Sequence, residues 1–158
     1  MTIRRTVSRR QGIRNRLVIL LNRVGLPVGP MHLLTIAGRK SGLPRTTPVA
    51  PVTVNGGCYI IQAYPNSDWV KNARAAGRGL LTRGRHTREV ELVEVGAEQR
   101  ASILREFPGQ NPRGVGAFLR NGLVDSDSPE SFASAAASCP VFHAVPAPDG
   151  WRRTRLPD

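Results

Sequence analysis

Lysine is nearly absent from this chain. Lys40 and Lys71 are the only two, although Lys and Arg together number 23 against 11 Asp and Glu. Aromatic residues make up 5% of 158, there are two cysteines and three histidines, and no hydrophobic run is long. Each shortage excludes something. With so few aromatics, the basic stretches lack the interleaved rings on which nucleobases stack, which argues against a nucleic-acid-binding module. Cys58 and Cys139 stand alone, with no C-x-x-C pair and no His-x-x-x-His spacing, so no metal site is expected. Both read as buried thiols of a reducing cytosol. "SRRQGIR" is similar to a twin-arginine export signal, but the apolar run behind it, "LVILL", ends at Asn22 after five residues. A signal-peptide core needs about 7–15 apolar residues and a membrane span about 20. The expected location is therefore cytoplasmic. The chain also lacks a G-x-G-x-x-G, a P-loop, a G-x-S-x-G elbow and a matched pair of acids. His32, His86 and His143 are scattered and read as strand residues. A chain without nucleophile, metal or acid pair does no chemistry or borrows it from a cofactor.

What is present is arginine. The formal charge is +12 with a pI near 11.5. Arginine's planar fork gives two parallel hydrogen bonds to a carboxylate or phosphate. The partner is therefore anionic: nucleic acid, a membrane surface or an acidic small molecule. The length suits one domain with a core that needs no disulfides. The hydrophobic fraction of 40% excludes a disordered polymer.

Hydrophobic spacing predicts the elements. Ser8 and Gln11 form a capping box, and Ile13, Leu17, Leu20, Leu21 and Val24 recur at helical spacing until Gly25 and Pro27. Arg9, Arg16 and Arg23 give that helix a basic face, able to lie on the domain or on the inner face of a membrane. "MHLLTIA" predicts a buried strand. "RTTPVAPVTV" predicts a second, at an edge or bulged, because Pro48 and Pro51 lack amide donors. "NGG" at 55–57 predicts a tight hairpin into "CYIIQAY", completing a three-stranded meander. "PNSDWVKNARAAG" predicts a short helix with caps at 66–68 and a stop at Gly77. "GLLTRGRHTREVELVEV" predicts a second hairpin turning at 83–85, with Val90 and Leu92 inward and Val95 a further candidate. "AEQRASILREF" predicts a helix ended by Pro108. Residues 110–121 give no clear pattern, "SPESFASAAAS" predicts a short helix and "CPVFHAV" a last strand. Dominant hairpins predict an α+β fold: an antiparallel β-barrel with peripheral helices and an N-terminal amphipathic helix. The expected organisation is a helix over 1–27, a cofactor-binding barrel over 28–146 and a polar tail over 147–158.

One stretch stands apart: "GRKSGLPRTTP", residues 38–48. Glycines let backbone amides approach a ligand, and successive turn amides can form an anion-binding nest. Lys40 offers a point charge, Ser41 a hydroxyl and Arg45 a fork. The alternative is a solvated hairpin tip.

"LLTIAGRKSGLPRTTPV", a hairpin, "YIIQAY", a W-x-x-N helix start and "LLTRGRHTREVELVEV" together resemble the deazaflavin-dependent nitroreductase family. These are split β-barrel oxidoreductases that use coenzyme F-420. The resemblance covers about residues 31–95 and returns weakly at "CPVFHAV". It implies an enzyme that passes a hydride from the reduced, strongly anionic deazaflavin to a small hydrophobic acceptor such as a quinone or nitro compound. It implies that Arg39, Lys40 and Ser41 meet the phosphate and acidic tail. Arg45, Thr46, Thr47, Pro48, Val49 and Ala50 would run beside the cofactor. Gln62, Ala63 and Tyr64 would lie near the ring, and Asp68, Trp69 and Asn72 would close the far side. Tyr64 is the candidate catalytic residue, since a phenol could donate the proton that accompanies a hydride. The family's glycine-rich segment before the tryptophan is here compressed to "AYPNSD". FMN in place of F-420, and a cofactor or lipid carrier without turnover, are the alternatives on the same barrel.

Overall fold

The computed structural model describes residues 15–21 and 29–148. The expected capping box at Ser8, the stop at Gly25 and Pro27, and most of the polar tail lie outside the described residues. Residues 15–21 are helical (α1). Then follow β1 (His32–Ala37), β2 (Pro44–Val49), β3 (Val52–Val54), β4 (Gly57–Ile61), α2 (Asp68–Ala76), β5 (Arg78–Arg83) and β6 (His86–Glu94). The chain continues through α3 (Ala97–Gln110), a 3-10 turn (Pro112–Gly114), α4 (Val115–Arg120), α5 (Pro129–Ser134) and β7 (Val141–Pro146). The seven strands form one curled antiparallel sheet in the order β2-β1-β5-β6-β7-β4-β3. This is the split barrel with peripheral helices that the sequence predicts.

Period-2 alternation divides the core in two. On the concave side, Leu34 and Ile36 of β1, Ile60 of β4, Leu81 of β5, Val90 and Leu92 of β6, and Phe142 of β7 close on Val70 and Ala73 of α2. On the other side, Tyr59 and Ile61 of β4 and Val141 of β7 meet Leu104 and Phe107 of α3, Phe118 of α4 and Phe132 of α5. Three phenylalanines, Phe107, Phe118 and Phe132, pack with centroids 4.7–5.5 Å apart. Scarce as they are, the aromatic rings are concentrated in this helical layer. Val95 belongs to it, not to the barrel interior.

Four sequence expectations need correction. "RTTPVAPVTV" is two strands, not one. The chain breaks at Ala50 and Pro51, and β2 and β3 become opposite edges of the sheet. No simple meander forms, because β1 turns to β5 and β4 turns to β7. Proline explains the break: a residue without an amide donor is tolerated at an edge or between strands. Second, α3 runs through Pro108 to Gln110. Pro108 sits in its last turn, and the Asn111 amide closes that turn on the Phe107 carbonyl at 2.8 Å. Third, residues 110–121 are largely helical. Fourth, Leu17 and Leu20 of α1 are exposed while Val18 is buried. Asn15, Ile19 and Leu21 are half-buried, so the covered face of the described helix keeps Leu21 of the expected set but not Leu17 or Leu20. Cys139 is buried as expected, but Cys58 is only partly so.

The Asn-Gly turn forms as predicted. Asn55 and Gly56 have φ of 49° and 77°, the paired positive values that match a turn to the twist of its flanking strands. Ser67 and Gly77 bound α2, with Gly77 left-handed at φ 68°.

Candidate functional site at the turn end of the barrel

β1 and β2 pair from His32 opposite Val49 to Ala37 opposite Pro44, so residues 38–43 form the turn at one end of the barrel. β4 leads to the same end, where Gln62 and Ala63 follow Ile61. α2 lies across that end, packed on β1. Three of the stretches predicted to contact one ligand, 39–41, 62–64 and 68–72, therefore lie at that end, whereas 45–50 starts there at Arg45 and runs along β2 to Val49, opposite His32 at the other end.

The turn is braced from within. The Gly38 amide donates to the Leu43 carbonyl and the Gly42 amide to the Gly38 carbonyl, each at 2.8 Å. The Leu43 amide donates to Ser41 Oγ at 3.2 Å. The Arg39 amide donates to Asn72 Oδ1 at 3.1 Å. Four turn amides, those of Gly38, Arg39, Gly42 and Leu43, are thus directed to internal acceptors, which leaves at most the successive amides of Lys40 and Ser41 for an anion. A Cβ on Gly38 would meet Ser41 Oγ at 3.2 Å, the Leu43 carbonyl at 3.3 Å and Arg45 Cγ at 3.4 Å, and glycine makes this compaction possible.

Arg39 is part of the bracing. Its Nη1 donates to Asn72 Oδ1 at 3.0 Å and its Nη2 to Asp68 Oδ1 at 3.1 Å. Asn72 is 4% exposed and accepts both Arg39 bonds. Asn72 and Asp68 are four residues apart, on one face of α2, so one arginine bridges both. Lys40 and Arg45 are exposed beside this frame. The Ser41 hydroxyl, having accepted from Leu43, keeps its own proton to donate. Thr46 Oγ1 pairs with Thr35 Oγ1 across the strands at 2.9 Å, the ordinary threonine ladder of a sheet. Val49 is a core residue.

On the other flank, Gln62 is 5% exposed. Its Nε2 donates to the Tyr64 carbonyl at 2.7 Å, and its amide donates to the Pro140 carbonyl at 3.0 Å. Ser67 Oγ also donates to the Tyr64 carbonyl, so the compressed "AYPNSD" segment is a tied loop. Asn121 Nδ2 donates to the Ala63 carbonyl at 2.8 Å. Trp69 meets Phe142 edge-on at 5.6 Å, which anchors α2 to the concave core. A cleft of about 260 Å³ opens here between Gln62, Pro65, Ser67, Lys71, Arg74 and Pro140. Arg74 and the 137–140 wall were not foreseen; the wall reaches the cleft because β7 pairs with β4, and no local motif announces that pairing.

Arg74 makes a bidentate pair with Glu94, at 2.9 and 2.7 Å. The bond from Arg74 holds the Glu94 carboxyl below its ordinary value and raises the arginine in return. Among the described residues no group of three His, Cys, Asp or Glu could hold a metal ion, and no helix is long and apolar enough to cross a membrane.

The family model of the F-420H(2)-dependent quinone reductases matches residues 4–114, well over half of the chain. Solved structures share the fold. One is described as a domain-swapped dimer, with 19% identity over 87% of this chain and 99% of its own, TM-score 0.53. An F-420-H2-dependent reductase has 21% identity over 73% and 93%, TM-score 0.53. A conserved hypothetical protein from Mycobacterium tuberculosis has 11% identity over 94% and 87%, TM-score 0.55. No curated protein matches. With the family matched across both strands of the turn and the whole of α2, the chain belongs to the F-420H(2)-dependent quinone reductases and is an F-420-dependent oxidoreductase.

Proposed function

We propose that the turn end of the barrel holds reduced F-420 and presents it to a small hydrophobic acceptor, a quinone or a nitro compound. The observation that carries this reading is the convergence of the turn, the β4–α2 loop and α2 on one end of the barrel. The donor set fits the cofactor's anionic tail: an exposed ammonium at Lys40, an exposed guanidinium at Arg45 and a hydroxyl at Ser41. Arg39 acts indirectly. Tied to Asn72 and Asp68, it is a positioning residue that fixes where Lys40 and Ser41 project.

When bound, the reduced deazaflavin supplies a hydride. The chain's own part is to orient and to manage the proton. Thr46, Thr47, Pro48 and Ala50 line the path along β2, and the Gln62–Tyr64 segment, tied to Pro140 and Ser67, offers a fixed wall for the ring. Trp69 holds α2 on Phe142 of β7, and Asn72 holds it on the turn through Arg39. The Tyr64 hydroxyl is the group that would donate a proton to the acceptor oxygen or hold it by a hydrogen bond.

Side-by-side titration with F-420 and FMN, followed by turnover with a quinone and a nitro compound, tests the reading. Micromolar or tighter F-420 binding, much weaker FMN binding and quinone reduction are expected. FMN binding alone would overturn the cofactor assignment. F-420 binding with no turnover of either acceptor would leave a carrier.

A further inference from the structure

A curled sheet that does not close leaves two edges, and here they are β2 and β3. An unpaired edge is a template for a strand of another chain. β2 refuses one by its composition. Pro44 and Pro48 have no amide hydrogen, so the ladder to β1 rests on the amides of Arg45, Thr47 and Val49. The alternate positions, 44, 46 and 48, turn their backbone outward, and Thr46 holds the one amide donor among them. β3, Val52 to Val54, contains no proline, and its protection comes from elsewhere.

The Thr53 amide donates to Gln110 Oε1 at 2.8 Å, and Gln110 Nε2 donates to the Thr53 carbonyl at 2.8 Å. A facing residue of an antiparallel strand exchanges the same two bonds. Next along the edge, Asn111 Nδ2 donates to the Pro51 carbonyl at 3.3 Å, and Pro51 has no amide hydrogen to place. Two neighbouring carboxamides at the end of α3 therefore occupy the bonding positions of a missing strand. Gln110 is exposed, so this contact is not core packing. The turn that carries it is also a weak one, because Pro108 has no amide to donate to the Leu104 carbonyl. The capped edge borders a cleft of about 540 Å³ at the His32 end of the barrel, lined by Thr53, Cys58, Arg83, Arg88, Gln110 and Asn111 among others. Arg83 shares a face with Leu81 and Arg88 with Val90, so each ends a column that is apolar through the barrel.

We propose that Gln110 is an edge cap that keeps β3 from pairing with β3 of a second copy of this chain. A second copy is the partner that fits. Twofold pairing about Thr53 sets Thr53 opposite Thr53 and restores the two bonds that Gln110 makes now. The last turn of α3 swings out to admit it, and Pro108 makes that turn the easiest part of the helix to release. The proposal does not rest on the cofactor reading.

The test is hydrogen exchange at the Thr53 amide together with sedimentation velocity. Both are run on the full chain over a range of protein concentrations, in about 0.5 M salt so that the charge of +12 is screened. The wild-type amide is expected to be protected at every concentration. In Gln110→Ala it should exchange about tenfold faster in dilute solution, as for one lost hydrogen bond. As concentration rises, protection should return and the mass should double over the wild-type species. Gln110→Glu keeps an acceptor for the amide but has no donor for the carbonyl, and should fall between the two. Thr53→Pro added to Gln110→Ala removes the outward amide and should abolish the extra association. Because Gln110 is exposed, its variants should fold, and the wild-type exchange rate is a test without any variant. Fast exchange at Thr53 in the wild type would overturn the proposal. So would unchanged exchange in Gln110→Ala, faster exchange with no gain of mass at high concentration, or association that persists with Thr53→Pro.

Discussion

The two ends of the barrel use the same residue type differently. At the turn end, Arg39 finds Asn72 and Asp68, and Arg74 finds Glu94, because α2 and β6 bring acceptors within reach. At the far end, Arg83 donates to the Gly29 carbonyl and Arg88 lies beside the Cys58 thiol, with no carboxylate among the described residues that line the cleft. Arginine next to a protein carboxylate is framework. Arginine ending an apolar column here has no described carboxylate beside it. Spare charge at the turn end is carried by Lys40 and Arg45, outside the brace.

The sharpest way to separate chemistry from framework is Tyr64→Phe, which keeps the ring and removes the hydroxyl. If the hydroxyl acts, kcat should fall about 10²-fold with F-420 affinity unchanged. Turnover at the wild-type rate, with the same solvent isotope effect, would reduce Tyr64 to packing.

Next come the exposed cations. Lys40→Ala and Arg45→Ala should each weaken F-420 binding by about 1.5–3 kcal/mol, the worth of a charge-assisted hydrogen bond. Melting temperature should hardly move, since both side chains are exposed. Early melting with normal binding would make the turn purely structural.

The brace should respond the other way. Asn72→Leu strands the Arg39 amide and guanidinium and should cost about 1–3 kcal/mol in urea unfolding. Asp68→Ala removes only an exposed ion pair, whose aspartate is 79% exposed, and should cost about 0–1 kcal/mol. Equal losses would contradict the picture of one buried acceptor doing most of the holding.

The smallest effect is in pH. Folding holds His32 below its ordinary 6.5, mainly through burial, so the unfolded chain takes up that proton first. Stability from this group is complete above pH 6.5 and is lost as pH falls from 6.5 toward the lowered folded value. Glu94, held below 4.5 by Arg74, loses its contribution only in more acid solution, as pH falls from 4.5 through its own folded value. Urea midpoints between pH 7 and 5.5 should therefore fall in the wild type and flatten in His32→Asn. A change of slope at that step in Glu94→Gln instead would reverse the assignment.

Much of the turn end was legible because its signals are local. "GRKSG" carries the glycines that a compact turn needs, "NGG" the positive φ values, and Ser67 with Gly77 the ends of α2. The tie of Arg39 to α2 was not legible for a physical reason: its partner, Asn72, is 33 residues away, and side-chain type does not reveal who will satisfy it. The helix through Pro108 was missed because the bond that proline forfeits to the carbonyl four residues back is offset here by long-range packing: Leu104 and Phe107 beside it are buried in the core.

By itself the sequence determined the strands, their alternation, the anion-seeking character of the chain and the grouping of basic residues around one glycine-rich turn. These follow from local spacing and from charge, which survive any arrangement of the elements. Only the tertiary structure decided that "RTTPVAPVTV" would split to opposite edges. It also decided that α2 would tie Arg39 to Asn72 and Asp68. And it decided that His32, Cys58, Arg83, Arg88 and Asn111, spread over 80 positions, would meet at one mouth. The reason is the pairing order: strands distant in the chain become neighbours when the sheet curls, and the pleat then decides which side chains face each other.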